Sequence, residues 1–256
     1  MSHAHALSSA AALVCAAPDD APVANSGIER SLRSAAARLA EPQVEAEYWK
    51  HDELIVVDDF LDARLARQMR EAAVSAVAAT RRKAIPGYKR AGAISAYAIA
   101  RHAPQLAALY RSPVLIDALS RLADVPLLPC PRWDAHAVAL YVYTQPGDRV
   151  GFHYDRSWYR GARYTALIGL QNDSTSELVC RVHRGARHRA EKELRVATDP
   201  GTLVFFQGDK CYHAVSPLGA GETRIVLSLQ YVTSTEIGPV ARVVSDLKDA
   251  LTYFGV

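Results

Sequence analysis

The feature that most constrains this 256-residue chain is a change of pattern at LPCPRW, residues 128–133. Before it, apolar residues recur at helical spacing. Leu61, Leu65, Met69, Ala73 and Val77 mark one face of a helix, with Arg64, Arg67, Arg70 and Glu71 on the others. Two further helices are predicted over 105–110 and 114–123, and short strands over 54–57 and 94–99. After the break the pattern is β throughout, with strands predicted over 137–143, 164–170, 178–182, 202–206 and 224–232. Turn signals separate them: Gln145-Pro-Gly147, Pro200-Gly201 and Gly219-Ala-Gly221. Helices first and short strands afterwards predict an α+β domain, a double-sheet jelly roll braced by N-terminal helices.

The division is expected near residue 45, giving an N-terminal extension (1–45) and one domain (46–256). Residues up to about 25 are rich in Ala, Ser and Pro and read as a poorly ordered lead. Ser26-Gly-Ile-Glu29 then has the form of a capping box, predicting a helix that stops before Pro42. Half of the residues are apolar, which excludes a disordered chain. No Lys or Arg precedes the first apolar patch, so a secretory leader is not expected, and no apolar run could span a bilayer. The four cysteines form no C-x-x-C pair and suit reduced core thiols. These features predict a cytoplasmic protein.

Chemistry concentrates downstream of the break. His153-x-Asp155 follows a strand and a Pro-Gly turn, and in an extended segment residues i and i+2 point to one face. His51-Asp-Glu53 has the same spacing but no such surroundings. A second imidazole, His213, lies beyond the strand at 202–206, and Arg224 opens the next strand. Two imidazoles and a carboxylate can hold one face of an octahedral Fe(II), leaving three positions for co-substrate and O2. A guanidinium nearby can take a distal carboxylate in bidentate geometry, as 2-oxoglutarate would require. Arg224, Val226, Ser228 and Gln230 share a strand face, which favours a polar cavity over a packed core.

The stretch 143–231 resembles an Fe(II)/2-oxoglutarate-dependent dioxygenase of prolyl-hydroxylase type, through its Y-x-x-G…H-x-D…R-x-x-T…G…H…R order. LIVVDDFL at 54–61 resembles the opening strand of such domains. The resemblance implies a double-stranded β-helix with His153, Asp155 and His213 as metal ligands. It implies Arg224 and Thr165 at the distal carboxylate of 2-oxoglutarate, with Tyr143 as a further co-substrate contact. The run HYDRSWYRGARYTALIGLQNDSTSELVCRVH is also similar to bacterial lysine halogenases and their hydroxylase relatives, which modify free amino acids. In those halogenases a Gly replaces the acid of the triad and makes room for chloride. Here the position is Asp155, which implies a hydroxylase.

Arg156, Arg160, Arg163, Arg181, Arg184, Arg187, Arg189, Lys192 and Arg195 form a basic belt. It can be a solvated face, a phosphate-tracking surface or, through Arg156, a seat for a substrate carboxylate. A base-flipping enzyme needs stacking surfaces, and only Trp158 and Tyr159 lie near. A small-molecule substrate, a free amino acid or close derivative, is therefore preferred. An oxidative demethylase of nucleic acids or nucleotides and a non-catalytic jelly-roll sensor are the alternatives. His136, Arg156, Trp158, Ser228 and Gln230 are the candidate substrate contacts.

Overall fold

The computed structural model describes residues 25–237. The disordered lead expected up to about residue 25, and Cys15 with it, lie outside the described residues, apart from residue 25 itself. Among the described residues six α-helices come before the LPCPRW break: α1 (Asn25–Leu39), α2 (Pro42–Lys50), α3 (Ala63–Ala76), α4 (Ala96–His102), α5 (Pro104–Tyr110) and α6 (Pro113–Ala123). Their starts are written in side chains. Asp62 accepts the Leu65 amide at 2.8 Å to open α3, and Ser112 caps α6 immediately before Pro113. Ile28, Leu32, Ala35, Ala36 and Leu39 form the buried face of α1, which packs on α6. This face belongs to the same core cluster as the sheet. A boundary at residue 45 would fall inside α2, so the described part of the N-terminal segment is built into the domain rather than appended to it.

The strand predicted over 94–99 is a correction. Ser95 accepts the Ala98 amide at 3.4 Å and starts α4, whose Ala-rich AYAIA run is a good helix former. The strand lies upstream, in a hairpin of β2 (Arg81–Ile85) and β3 (Lys89–Ile94) turning at Pro86-Gly87.

The remaining strands are β1 (Leu54–Val57), β4 (Leu128–Pro129), β5 (Val138–Tyr143), β6 (Arg149–His153), β7 (Arg163–Asp173), β8 (Leu178–Val182), β9 (Lys192–Val196), β10 (Leu203–Gln207), β11 (Tyr212–Val215) and β12 (Thr223–Val232). They run antiparallel in the order β1-β10-β7-β12-β5-β3-β6-β11-β8-β9, with β2 on β3 and β4 on β12. Neighbours in space are mostly distant in sequence, as the wound jelly roll requires. Alternation sorts the side chains into two layers. Leu140, Ile168, Leu203, Phe205 and Leu227 face the helices. Leu54, Leu167, Val204, Phe206 and Val226 face inward against Leu178, Cys180 and Val182.

The β2–β3 hairpin is fastened by one carboxylate. Asp148 is fully buried. It accepts Arg82 Nη2 at 2.5 Å and the amides of Thr144 and Gln145 at 3.0 Å each, and Arg90 Nε stands 3.7 Å away. Charge-assisted bonds of this kind are worth about 1.5–3 kcal/mol each. Asp148→Ala is therefore expected to cost about 3 kcal/mol in chemical denaturation, and to raise amide exchange in residues 81–94 before the rest of the sheet.

Candidate active site

Strand pairing assembles the candidate metal site. β6 ends on His153, and the β6–β11 register sets His153 directly opposite His213. Their rings are 4.2 Å apart. Asp155 lies just past β6, held by its amide on the Gly208 carbonyl at 3.0 Å. Gly208 has to be glycine: a Cβ there would stand 2.3 Å from the Asp155 carbonyl oxygen. Asp155 Oδ1 is 3.5 Å from His153 Nε2, and Oδ2 is 3.9 Å from His213 Nε2. These three residues alone form a metal-type cluster among the described residues, with ligand atoms within 4.8 Å of one another.

Both imidazoles are oriented by backbone carbonyls. His153 Nδ1 donates to Gly151 O at 2.9 Å, and His213 Nδ1 donates to Cys211 O at 3.2 Å. Each Nε2 lone pair is thereby turned into the cavity, as metal-ligating histidines require. For the His153 imidazolium, burial is outweighed by the hydrogen bond and charge of Asp155, and its pKa is raised. Burial dominates at His213, whose pKa is lowered. Burial opposes ionisation of Asp155, but the hydrogen bond from His153, the two imidazoles and the Thr165 hydroxyl together hold its carboxyl far below the usual range. The carboxylate is therefore ionised and available as a ligand at neutral pH.

Thr165 stands elsewhere than the motif implies. Its Oγ1 is 2.7 Å from Asp155 Oδ2 and 3.0 Å from Gln230 Oε1, behind the carboxylate and not beside Arg224. The hydroxyl at the guanidinium is that of Thr198, which accepts Arg224 Nε at 3.1 Å and Nη2 at 2.7 Å. Gly169 explains how Thr198 gets there, since any Cβ on it would stand 2.1 Å from the Thr198 carbonyl oxygen. The sequence signal for this was Gly169 within a run of β-formers, a mark of close backbone approach.

Arg224 is 1% exposed and, among the described residues, pairs with no carboxylate. Its Nη1 is buried without a hydrogen bond. The Tyr143 ring is 5.4 Å from its guanidinium carbon, and burial pulls its pKa down. A buried, uncompensated cation costs several kcal/mol unless an anion joins it.

All of this opens on one cavity of about 260 Å³. His153, Asp155, His213, Arg224 and Tyr143 line it, and so do the five candidate substrate contacts His136, Arg156, Trp158, Ser228 and Gln230. The strand-face prediction for β12 holds, since Arg224, Val226, Ser228 and Gln230 all reach the wall. Sequence reasoning missed Lys83, Tyr88 and Lys89 on the β2–β3 hairpin, and Asp134, and it placed Arg163 only in the basic belt. The Pro86-Gly87 turn was the available signal for the hairpin. Tyr88 meets His153 edge-on with ring centroids 6.0 Å apart.

The sites outside the cavity resolve into structural pairs. His51, Asp52 and Glu53 diverge: His51 meets Glu47, Asp52 meets His183, and Glu53 meets Tyr164 and Lys210. Much of the basic belt is matched with acids. Arg195 pairs with Glu177 and Glu193 at 3.2 and 2.7 Å, Arg181 with Glu193 at 3.4 Å, and Arg160 with Glu236 at 3.3 Å. Cys130, Cys180 and Cys211 are buried free thiols. Among the described residues no helix is long and apolar enough to cross a membrane.

Solved structures of similar fold include alpha-ketoglutarate-dependent enzymes and prolyl hydroxylases. The epimerase SnoN from nogalamycin biosynthesis, named as a non-heme alpha-ketoglutarate-dependent enzyme, superposes with a TM-score of 0.60 at 16% identity, covering 78% of this chain and 81% of that one. The carbocyclase SnoK from the same biosynthesis gives 0.61 at 15% identity, covering 77% and 85%. A Pseudomonas putida prolyl-4-hydroxylase gives 0.53 at 20% identity, covering 77% and 97%. The chain has the fold of the Fe(II)/2-oxoglutarate oxygenases. Residues 39–160 also match a family model described as Halogenase D. No curated protein sequence matches significantly.

Two substitutions test this geometry. Thr165→Val removes the proton donor behind Asp155 while keeping the side chain's shape. By the usual effect of groups that orient ligands, Fe(II) affinity measured by titration should fall about tenfold. Arg224→Met removes the buried cation. In thermal melts the metal-loaded variant should be at least as stable as wild type without 2-oxoglutarate, and should lose the stabilisation that 2-oxoglutarate gives wild type.

Proposed function

We propose that this protein is an Fe(II)/2-oxoglutarate-dependent hydroxylase acting on an unactivated C–H bond of a small molecule, a free amino acid or close derivative, with release of succinate and CO2. The observation that carries the reading is Arg224, a buried guanidinium with an orphaned Nη1 in the same cavity as the three ligands. The donor set suits the metal, two neutral imidazole nitrogens and one carboxylate. The guanidinium suits the far carboxylate of a dicarboxylic co-substrate. When bound, iron with 2-oxoglutarate supplies O2 activation; the protein's share is to position and to exclude water.

Each residue's share follows from its surroundings. His153 and His213 offer Nε2 because Gly151 and Cys211 hold their Nδ1 protons. Asp155 keeps Oδ2 on Thr165 and offers Oδ1. Arg224, braced by Thr198 and Tyr143, anchors the co-substrate. Asp155 itself favours hydroxylation: the halogenases that this chain resembles carry Gly there, and a carboxylate ligand at that position would leave no room for chloride. The matched charges of the belt weigh against a phosphate-tracking surface, and the size of the cavity, at or below the usual ~300–1,000 Å³ of small-ligand sites, favours a small substrate.

Succinate formation from 2-oxoglutarate with Fe(II) and ascorbate tests the enzyme reading against a non-catalytic sensor. Wild type should exceed His153→Ala, and mass spectrometry of amino acids and their derivatives should show the gain of one oxygen. Equal rates in the two proteins across the whole panel would sink the reading. Asp155→Gly should lose hydroxylation; undiminished hydroxylation would remove the role given to the carboxylate.

A further inference from the structure

Behind the candidate ligand Asp155 lies a file of buried polar groups that metal binding alone does not explain. Strand β12 runs against β7 with Gln230 directly opposite Thr165. Thr165, Ser228 and Gln230 are all buried. Thr165 Oγ1 lies 2.7 Å from Asp155 Oδ2 and 3.0 Å from one end of the Gln230 amide, whose other end lies 3.0 Å from Ser228 Oγ. The Gln230 backbone is held separately. Its N–H donates to the Ala137 carbonyl at 2.9 Å, and its carbonyl accepts the Tyr110 hydroxyl at 2.9 Å. Strand pairing thus makes no demand on the amide side chain.

Counting protons gives this file a direction. A carboxylate that holds a metal carries no proton, so Asp155 can only accept. Thr165 has a single hydroxyl proton, and the shorter, charge-assisted contact to Oδ2 takes it. The Thr165 oxygen then offers only lone pairs to Gln230. Two acceptors at 3.0 Å repel, whereas an amide N–H in that place binds. The two ends of a glutamine amide are told apart by the bonds they can make. With N–H on Thr165 and the amide oxygen on the Ser228 hydroxyl, every contact has one proton. Ser228 donates to Gln230, Gln230 to Thr165, and Thr165 to Asp155. Bonds in such a series polarise one another, and each donor strengthens the next. Ser228 and Gln230 also line the cavity, so the series runs from the cavity wall to the back of the carboxylate.

We propose that Gln230 is a positioning residue that acts on Asp155 through Thr165. Its amide turns Nε2, in place of Oε1, towards Thr165 and takes the Ser228 hydroxyl on Oε1. The bond it donates commits the Thr165 proton to Asp155, which holds Oδ2 away from the metal and leaves Oδ1 as the ligand oxygen. A change at Ser228, on the cavity wall, is therefore felt at the metal ligand. The proposal rests on the metal-site reading above, and not on the substrate or on the reaction that follows.

The test uses the full chain with Co(II) as the probe. Gln230→Met keeps the length of the side chain and removes both ends of the amide. Co(II) affinity by calorimetry should fall roughly threefold, less than the loss of about tenfold expected for Thr165→Val. The visible absorption of bound Co(II), which reports the ligand oxygens directly, should shift in the same variant. Ser228→Ala should move affinity and absorption in the same direction by a smaller amount. Because Gln230 acts through Thr165, the double variant should bind Co(II) no more weakly than Thr165→Val alone. Gln230→Leu is the second substitution, and metal-free melts and circular dichroism like those of wild type show that each variant is folded. Unchanged Co(II) affinity and absorption in both Gln230 variants, or losses that simply add in the double variant, would overturn the proposal. Wild type that binds no Co(II) would overturn the metal-site reading and this proposal together. Absence of succinate formation, with the Co(II) shifts retained, would sink the activity and leave the proposal standing.

Discussion

The antiparallel pairing of β6 with β11 is the constraint on which the site depends. It sets His153 against His213 across one ladder, although sixty residues separate them in the chain. Side chains directly opposite in an antiparallel pair lie close enough to share a ligand. The same ladder continues to β8, where Cys180 pairs with His213 and closes the apolar floor beneath it. Asp155 follows from β6 by covalent continuity, and Gly208 lets the next loop come near enough to hold its amide. The candidate metal ligands are thus fixed by backbone hydrogen bonds, and their side chains need little further ordering.

A second requirement comes from the other half of the roll. β12 carries Arg224 into a buried position with hydroxyl and aromatic neighbours and, among the described residues, no counter-ion. Folded proteins seldom leave such a cation uncompensated, because the desolvation cost is large. The surrounding strands are among the best packed in the molecule, with Phe205, Leu227 and Leu229 fully buried. Burial of this apolar layer stabilises the fold while a neighbouring position is kept polar for a ligand. The helices serve the same end from outside: they cover the other face of β7, β10 and β12, so the strand faces that line the cavity need not bear the whole burden of stability.

Much of this was legible in order along the chain. The helix-then-strand layout, the ligands, Arg224 and the polar face of β12 followed from spacing and alternation, which act over a few residues. Errors arose where a local signal competed with another. The stretch at 94–99 reads as β-former until Ser95 is recognised as a cap, and the β2 strand RRKAI has too little apolar character to announce itself. Strands β6, β9 and β11 are short or polar and gain their identity from their partners. The basic belt looked like one surface in sequence, yet several of its members are paired with acids once β8 and β9 align.

By itself the sequence determined which chemical groups are available and the local directions in which they point: two imidazoles, a carboxylate two residues from one of them, and an arginine on an alternating face. Only the tertiary structure decided which groups meet. It gave Thr165 to Asp155 and Thr198 to Arg224, saturated Asp134 with Arg163 and Tyr159, and brought the lysines of a distant hairpin to the cavity wall. The reason is physical. Side-chain direction in a strand repeats every two residues and can be read locally. The register between strands far apart in sequence is set by the packing of the whole roll, and a slip of one residue would turn every one of these groups to the opposite face.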